Sequence, residues 1–519
     1  MLLISHFERA ARLYPERTAF VQPDGSKIMY GEALRNVHAV ARDLLASGLE
    51  EGAKVAILSP NDSAALITML GSIRAGLVWV SLNPRNTIDD NIALAETTEA
   101  SALLFHKMYE AEAERIRGAL PDLALCVRLD EIAGDAGRAE AGAASADGLV
   151  LPELAHDMNK ACAIFATGGT TGRSKGAVWT NQTWETLIAN FWTCAPSCDH
   201  PVHLCVAPIT HGAGALAIML LPRAATNILM TTADPAAIFE AIERYRVTHI
   251  FLPPTVLYTL LSSPDLGKYD TSSLIFFLIS AAPVAADKLR EAVTAFGPVM
   301  CQAFGQAESP FLLTYLSPSD IAEAAQSASK EDILRSCGRA TMFAEVEIMD
   351  ESGQVLPVGE VGEIVTHSNL VMAGYYNDPE ATAAVSEYGW HHTGDIGLKD
   401  EAGYFYIVDR KRDVIITGGF NVYSTEVENA LLAHSAVLNC AVVGVPDDKW
   451  GEAVKGIVEL KSDAAATPDD LIAHCKARLG SVKTPKTIEI WDALPRSPVG
   501  KVLKRDIRDQ FWSGRQRLI

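Results

Sequence analysis

Short apolar runs that alternate with helical patterns are the feature that most constrains how this chain can fold. KVAILSP, LVWVSL, ALLFH, AIFATGG, THIFLPP and LIFFLISAA are each bounded by Gly, Pro or polar residues, as buried strands are. Between them stand helical stretches such as NDSAALITMLGSIRAG and DPAAIFEAIERYR, the second opened by Asp234 as cap and Pro235 in its first turn. Such alternation buries its strands in an α/β fold with largely parallel sheets. Ligands of these sheets sit beyond the carboxyl ends of the strands. The texture changes near Phe343, where EVEIMD, GEIVTHS and GYFYIVDR alternate and turn, which predicts an antiparallel or barrel-like element. After DRKRD a second α/β pattern begins, long enough for a small domain of roughly one hundred residues. The expected division is a large N-terminal domain, 1–409, and a small C-terminal domain, 410–519; 519 residues exceed one ordinary core.

The formal net charge of -20 argues against a nucleic-acid surface and against an anionic membrane surface. A bound anionic nucleotide would need local cations or a metal to offset that field. Nine cysteines form no CxxC pair, and Cys194 and Cys198 lack a second pair, so plain thiols in a reducing, cytoplasmic setting are expected. MLLISHFERAARLYPE reads as an amphipathic helix rather than a signal peptide. ALITMLGSIRAGLVWVSLNP, punctuated by Gly71, Arg74 and Gly76, reads as a helix and a strand rather than a membrane span.

TGGTTGRSKG, residues 167–176, follows the apolar strand Ala161 to Ala166. Gly168, Gly169 and Gly172 let backbone N–H groups approach an anion closely, Thr167, Thr170 and Thr171 add hydroxyl donors, and Lys175 adds charge. This predicts a phosphate cradle, against the alternative of a glycine-rich surface hairpin. It is not the G-x4-G-K-[ST] loop, because Lys175 is followed by Gly176 and has no glycine before it.

The stretch resembles the signature loop of the adenylate-forming superfamily, which includes acyl-CoA synthetases, luciferases and peptide-synthetase adenylation domains. Gly168 stands where a Ser or Thr is usual, and Ser174 where Pro is usual. Further motifs follow in the family's order. AAP (Ala281, Ala282, Pro283) resembles the strand end beside the adenine. QAFGQAES resembles the aromatic-Gly-x-Thr-Glu segment: Phe304 would stack on adenine beside Gly305 and Gln306, and Glu308 would help hold Mg²⁺, with Thr170 as a second ligand. Ala307 replaces the usual Thr. GYYNDPEAT resembles the loop before the Thr-Gly-Asp motif. In WHHTGDIG, Asp395 would accept from the ribose hydroxyls, and in YIVDRKRD, Ile407 and Arg410 would border the ribose. PRSPVGKVLKR resembles the segment that carries the adenylation lysine, here Lys501, although Lys504 and Arg505 beside it have the composition of a solvated basic face.

The resemblance implies an enzyme: an AMP-forming acid–thiol ligase of the kind used in fatty acid metabolism, with ATP, Mg²⁺ and coenzyme A. A carboxylate attacks the α-phosphate, pyrophosphate leaves, and a thiol then attacks the acyl-adenylate. Both steps use one site, through rotation of a mobile C-terminal domain about Arg412. Rotation would replace Lys501 by TGGFN, residues 417–421, whose Gly418 and Gly419 would let the pantetheine arm pass, with Phe420 beside them and Asn421 in the position of a polar residue near AMP. APITHGAGA would place His211 beside the substrate carboxylate, as an acid-subsite residue. Gly212, Ala213, Gly214 and Ala215 suggest space there, with Phe276, Ile279, Cys301 and Phe311 as apolar lining. No arginine stands in these segments, which points away from malonate-type acids and towards a medium-chain, aromatic or alicyclic acid. A carrier protein as acceptor, a luciferase-type oxygenation and a decayed ligase-fold binding protein are the alternatives, and a homodimer is left open.

Overall fold

The computed structural model describes residues 1–132, 149–167, 175–462, 464–496 and 502–512. The Ala-rich stretch at 141–148, most of the phosphate loop including residues 168–172, and Lys501 lie outside the described residues. By contact density the chain separates into two units. One comprises Met1–Val346, Thr366–His391 and Gly403–Phe405; the other comprises Glu347–Val365, His392–Ala402 and Tyr406–Ile519.

The first unit holds two sheets built as the strand–helix alternation requires. In the smaller sheet the order is Leu125–Arg128, Ala100–Phe105, Lys54–Leu58, Val78–Ser81, Ala161–Ala166 and Gly176–Thr180, parallel except for the last pairing. Its strands are apolar throughout because helices cover them; Ala56, Leu58, Val80, Leu103 and Ile164 pack with Leu94 and Ile116. The helix Ser63–Arg74 starts where Asp62 accepts from the Ala64 N–H at 2.8 Å, and Pro235–Tyr245 starts where Asp234 accepts from Ala237. The Asp234 cap stands at the sequence-predicted start.

In the larger sheet, Thr18–Val21, Thr226–Leu229, Val202–Cys205, His249–Leu252, Phe276–Ile279 and Met300–Gln306 run parallel side by side. Ser309–Leu316 and Gly338–Ala340 continue the sheet antiparallel. Asn61, just beyond the strand Lys54–Leu58, stitches the two sheets together. Its side-chain amide donates to the carbonyls of Cys205, Ala207 and Met230, and its Oδ1 accepts from the Ile209 N–H at 2.7 Å. This buried contact holds residues 207–211 at the carboxyl end of the large sheet.

His203 and His249 face each other across neighbouring parallel strands and are fully buried. Burial holds the His203 imidazole down to about 4, against a hydrogen bond to Asn227, and holds His249 down to about 3 with His203 as a like-charge neighbour. Both are neutral at pH 7. The unfolded chain, with ordinary histidines, binds more protons between these values and about 6.5, so stability is full above that pH and falls as pH drops through the window. His203→Asn should therefore flatten the loss of thermal stability between pH 6.5 and 4.5, read from melting curves at stepped pH. An unchanged slope contradicts the assignment.

The second unit carries strands at Gly362–His367, His391–Lys399 and Tyr404–Arg410, each entering it for part of its length, followed by the C-terminal α/β pattern. There the sheet runs Phe420–Val422, Ile415–Thr417, Gly451–Leu460, Val437–Asp447, with Thr487–Ile490 parallel to Gly451–Leu460 on a side branch. The helices Ser424–Leu432 and Pro468–Lys483 close a core of Ile415, Val427, Leu431, Val442, Val458, Leu471 and Cys475.

Candidate active site

The neck of the glycine-rich loop is closed by pairing of Ala166 with Gly176 and by the Thr167 N–H on the Lys175 carbonyl at 2.9 Å. Thr167 is buried, and Lys175 emerges half-buried at the exit. The next strand is paired with residues 373–376: Val178 donates to the Gly374 carbonyl, Ala373 to Val178 and Tyr376 to Gly176. This strap delivers Tyr375, whose hydroxyl donates to Glu308 Oε1 at 2.7 Å. The Lys175 ammonium lies 5.0 Å from the centre of the Tyr375 ring and 4.0 Å from Asp378 Oδ2. Burial, then the Glu308 carboxylate, pushes the Tyr375 phenol up, so it remains a donor at pH 7. Sequence reasoning missed Tyr375; its motif, GYYNDPEAT, was visible, but nothing in the chain order shows that it meets Glu308.

Glu308 sits in the tight turn between Met300–Gln306 and Ser309–Leu316, not at a helix start. Its backbone carbonyl accepts from Met372, and Trp179 Nε1 donates to the neighbouring Ala307 carbonyl at 2.7 Å, so the turn is held from two sides. Phe304 is nearly buried in the strand that leads to it. Gly305 is required there: a Cβ would stand 2.5 Å from the Phe311 nitrogen. On the adjacent parallel strand, Ala281 takes the left-handed conformation at φ 75°, leaving Ala281, Ala282 and Pro283 exposed at the carboxyl end. Ser280 donates to the Ala303 carbonyl at 2.8 Å and holds the two strand ends together. The structure thus brings Lys175, Glu308 and Tyr375 into one cluster, and sets residues 281–283 beside the Phe304 strand.

His211 precedes the helix Gly212–Met219. Its Nδ1 lies 3.1 Å from Thr210 Oγ1 and 3.3 Å from Ser81 Oγ, and burial holds the ring down to about 4, so it is neutral at pH 7. The small residues after it do not leave the room that the sequence suggests. A Cβ on Gly214 would lie 1.7 Å from the Ile209 carbonyl oxygen, and one on Gly212 would lie 2.5 Å from the Phe251 ring. Ala213 and Ala215 are fully buried. Smallness here lets a helix pack onto the preceding loop. Gly214→Ala should cost about 2 kcal/mol or more through overpacking, read as a lower melting temperature; a wild-type melting curve would refute the close approach. Phe276 also belongs to the core rather than to an acid pocket, packed on Phe191 and His249 at the entry end of its strand. Cys301 is fully buried, with its thiol on the Phe277 carbonyl. Ile279 is buried too, whereas Phe311 is half-buried against Phe251, the ring that also bounds Gly212.

The remaining site residues belong to the second unit. Asp395 is buried in the strand His391–Lys399, and Arg410 Nε meets its Oδ1 at 2.7 Å. The tight bend before it needs Gly394 at φ 70°, whose N–H donates to Glu363. Burial works against the Glu363 charge, but hydrogen bonds from Lys411 and His392 outweigh it and hold the carboxyl below its usual range. Ile407 is half-buried in the strand Tyr404–Arg410. Gly418 and Gly419, at φ 57° and 82°, form the two-residue turn of a hairpin. The place of a Gly418 side chain is taken by the Trp450 ring, 2.6 Å from the Cβ position, while the space beside Gly419 is open. Phe420 and Asn421 are exposed.

Arg412 lies in the short turn Lys411–Asp413. Arg508 donates to the Arg412 carbonyl and meets Asp413 at 3.2 Å. The basic stretch after Lys501 is not simply a solvated face: Lys504 is half-buried, held against Glu428 at 2.7 Å and Ser424 at 2.8 Å. Ser424 in turn donates to Asp409, which caps the helix Ser424–Leu432.

A parallel-sheet fold with a hairpin phosphate loop, a carboxylate turn and a Thr-Gly-Asp strand defines an adenylate-forming enzyme. The chain belongs to the AMP-binding enzymes: the family model for that enzyme matches residues 7–376, and the model for its C-terminal domain matches residues 426–501. It is 34% identical over 495 residues to the medium/long-chain-fatty-acid–CoA ligase FadD8 of Mycobacterium tuberculosis, covering 91% of this chain and 84% of that one. To a feruloyl-CoA synthase of an Amycolatopsis species it is 36% identical, over 97% of this chain and 98% of the relative. Among solved structures it is similar to the amide bond synthetase McbA of Marinactinospora thermotolerans, with a TM-score of 0.86 at 29% identity over 98% and 100% of the two chains.

Proposed function

We propose that this AMP-forming acid–CoA ligase activates a medium-chain, aromatic or alicyclic carboxylic acid. The observation that carries the reading is the meeting of the Lys175 cation and the Glu308 carboxylate on the Tyr375 side chain, at the mouth of the phosphate loop. It supplies a cation for phosphate oxygens and a hard oxygen ligand in one place. The acid is ionised at pH 7, so attack on the α-phosphate needs no general base. It needs two anions held together, and Lys175, the loop N–H groups and Lys501 offset the charge that develops on the phosphates.

A single carboxylate suits Mg²⁺, which is commonly held by one or two carboxylates together with substrate phosphates. Among the described residues no group of three or more His, Cys, Asp or Glu side chains could hold a metal by itself. Glu308, with Thr170, would hold the ion, and its charge would stabilise the phosphates of ATP. Phe304 and residues 281–283 border the adenine, and Asp395 with Arg410 and Ile407 borders the ribose. The neutral His211, fixed by Thr210 and Ser81, faces the acid.

We place the domain boundary between Asp409 and Arg410 and the hinge at Arg412. A rotation there exchanges Lys501 for the turn at Gly418–Gly419 with Phe420 and Asn421, and coenzyme A then attacks the acyl-adenylate. The relatives that act on a fatty acid and on a ferulic acid support an extended or aromatic apolar acid. Nine free thiols support a cytoplasmic setting, and no helix among the described residues is long and apolar enough to cross a membrane.

A pyrophosphate-release screen over fatty, cinnamic-type and alicyclic acids tests the reading. Release with coenzyme A-dependent AMP formation is the expected result. Release that needs a carrier protein, or that is driven by an amine as the likeness to an amide bond synthetase would allow, changes the acceptor. No ATP turnover with any acid overturns the enzyme.

A further inference from the structure

The cluster on the strap joins two groups that adenylation uses together, yet Tyr375 itself has no role in the reaction as set out above. Three facts bear on it. Its hydroxyl donates to Glu308 Oε1, which orients the carboxylate. Its ring carries the Lys175 ammonium on one face. Its backbone is paired through Ala177 to the strand that leaves the phosphate loop, while Met372, three residues earlier, donates to the Glu308 carbonyl. The strap is itself anchored: Thr382 Oγ1 accepts from the Tyr375 N–H at 2.9 Å, and Asp378 caps the helix Pro379–Ala384.

We propose that Tyr375 is a positioning residue that presets the Glu308 carboxylate for a divalent cation and parks Lys175 beside it. This deepens, and rests on, the reading of Glu308 as the metal-binding carboxylate. A carboxylate that receives one hydrogen bond loses rotational freedom before the cation arrives, so less entropy is lost on binding. The ring offers the lysine a weak, face-on attraction that phosphate oxygens easily exceed. Lys175 is therefore parked within reach of the nucleotide and free to leave the ring. Asp378, 4.0 Å from the ammonium, keeps it from swinging away.

The test uses the full chain, Mn²⁺ as the spectroscopic cation and α,β-methylene-ATP as a non-reacting nucleotide. Electron paramagnetic resonance reads free Mn²⁺ directly, apart from any turnover. Tyr375→Phe keeps the ring and removes the hydroxyl; it should weaken Mn²⁺ binding in the nucleotide complex about tenfold, the usual size for loss of an outer partner of a metal ligand. Thioester formation from supplied acyl-adenylate should stay at the wild-type rate. Tyr375→Leu also removes the ring and should additionally weaken metal-free nucleotide binding. Wild-type Mn²⁺ affinity in Tyr375→Phe overturns the proposal while leaving the ligase reading intact. Absence of nucleotide-dependent Mn²⁺ binding in the wild type overturns both. Should Tyr375→Phe melt early, the same Mn²⁺ titration is read beside the wild type at a temperature where circular dichroism shows both folded, and equal affinities overturn the proposal.

Discussion

Lys501→Ala is expected to slow acyl-adenylate formation by about 10²–10³, the range found when one preorganised charge stabiliser is taken from a transition state. Thioester formation from supplied acyl-adenylate is expected to continue near the wild-type rate. The asymmetry follows from charge. In the first step two anions meet and the phosphates gain negative character, so a cation matters most there. In the second step a thiol attacks the acyl carbon and the acyl–oxygen bond breaks to release AMP; pyrophosphate has gone, and a single phosphate gains charge. ATP–pyrophosphate exchange reads the first step, and AMP release from synthetic acyl-adenylate with coenzyme A reads the second. Equal loss in both would show that Lys501 serves structure or both steps alike, and the alternation about Arg412 would fail.

Asp395→Ala should raise the KM for ATP by about 10²–10⁴, since two hydrogen bonds from ribose hydroxyls to a carboxylate are worth roughly 3–6 kcal/mol together. Arg410→Ala should behave differently. Asp395 is 2% exposed at its side chain, whereas Arg410 is 39% exposed. Removing Asp395 leaves a guanidinium that water can solvate; removing Arg410 takes a close cation from a buried carboxylate. Loss of one partner of a buried pair costs about 3–5 kcal/mol when the survivor stays buried. The arginine variant should therefore melt earlier, and the aspartate variant should melt near wild type but fail to bind nucleotide. Calorimetric titration with ATP and melting curves on both variants separate the two effects. Normal ATP binding by Asp395→Ala would remove it from the ribose site.

Elements whose signal is local were legible. The strands Lys54–Leu58 and His249–Leu252 and the helix Ser63–Arg74 stand where the apolar pattern places them, and the helix Pro235–Tyr245 starts at its Asp234 cap. A contiguous motif was legible as such in residues 302–309, which form one strand and the turn that ends it. The candidate site was illegible wherever two motifs meet. Tyr375 touches Glu308 across 67 positions of chain, and Asn61 reaches Ile209 across 148. Gly214 misled because a small residue has two opposite meanings in sequence: space left for a ligand, or space already filled by a neighbour. Only the position of the Ile209 carbonyl decides between them. Lys504 misled in a similar way, because a run of basic residues says nothing about a Glu428 brought to it from a helix some seventy residues earlier.

By itself, the sequence determined which backbone each segment prefers and which chemical groups are available: parallel strands joined by helices, a glycine-rich loop, a carboxylate after an aromatic-glycine pair, a lysine near the end. These follow from side-chain periodicity and from groups a few bonds apart, so they survive without knowledge of the rest of the chain. Only the tertiary structure decided how those groups are held. It put a phenol between lysine and carboxylate, filled the supposed pocket at Gly214 with a carbonyl, and drew Lys504 into an ion pair. The reason is that hydrogen bonds and van der Waals contacts act over a few ångströms, and chain order does not say which distant segments come that close.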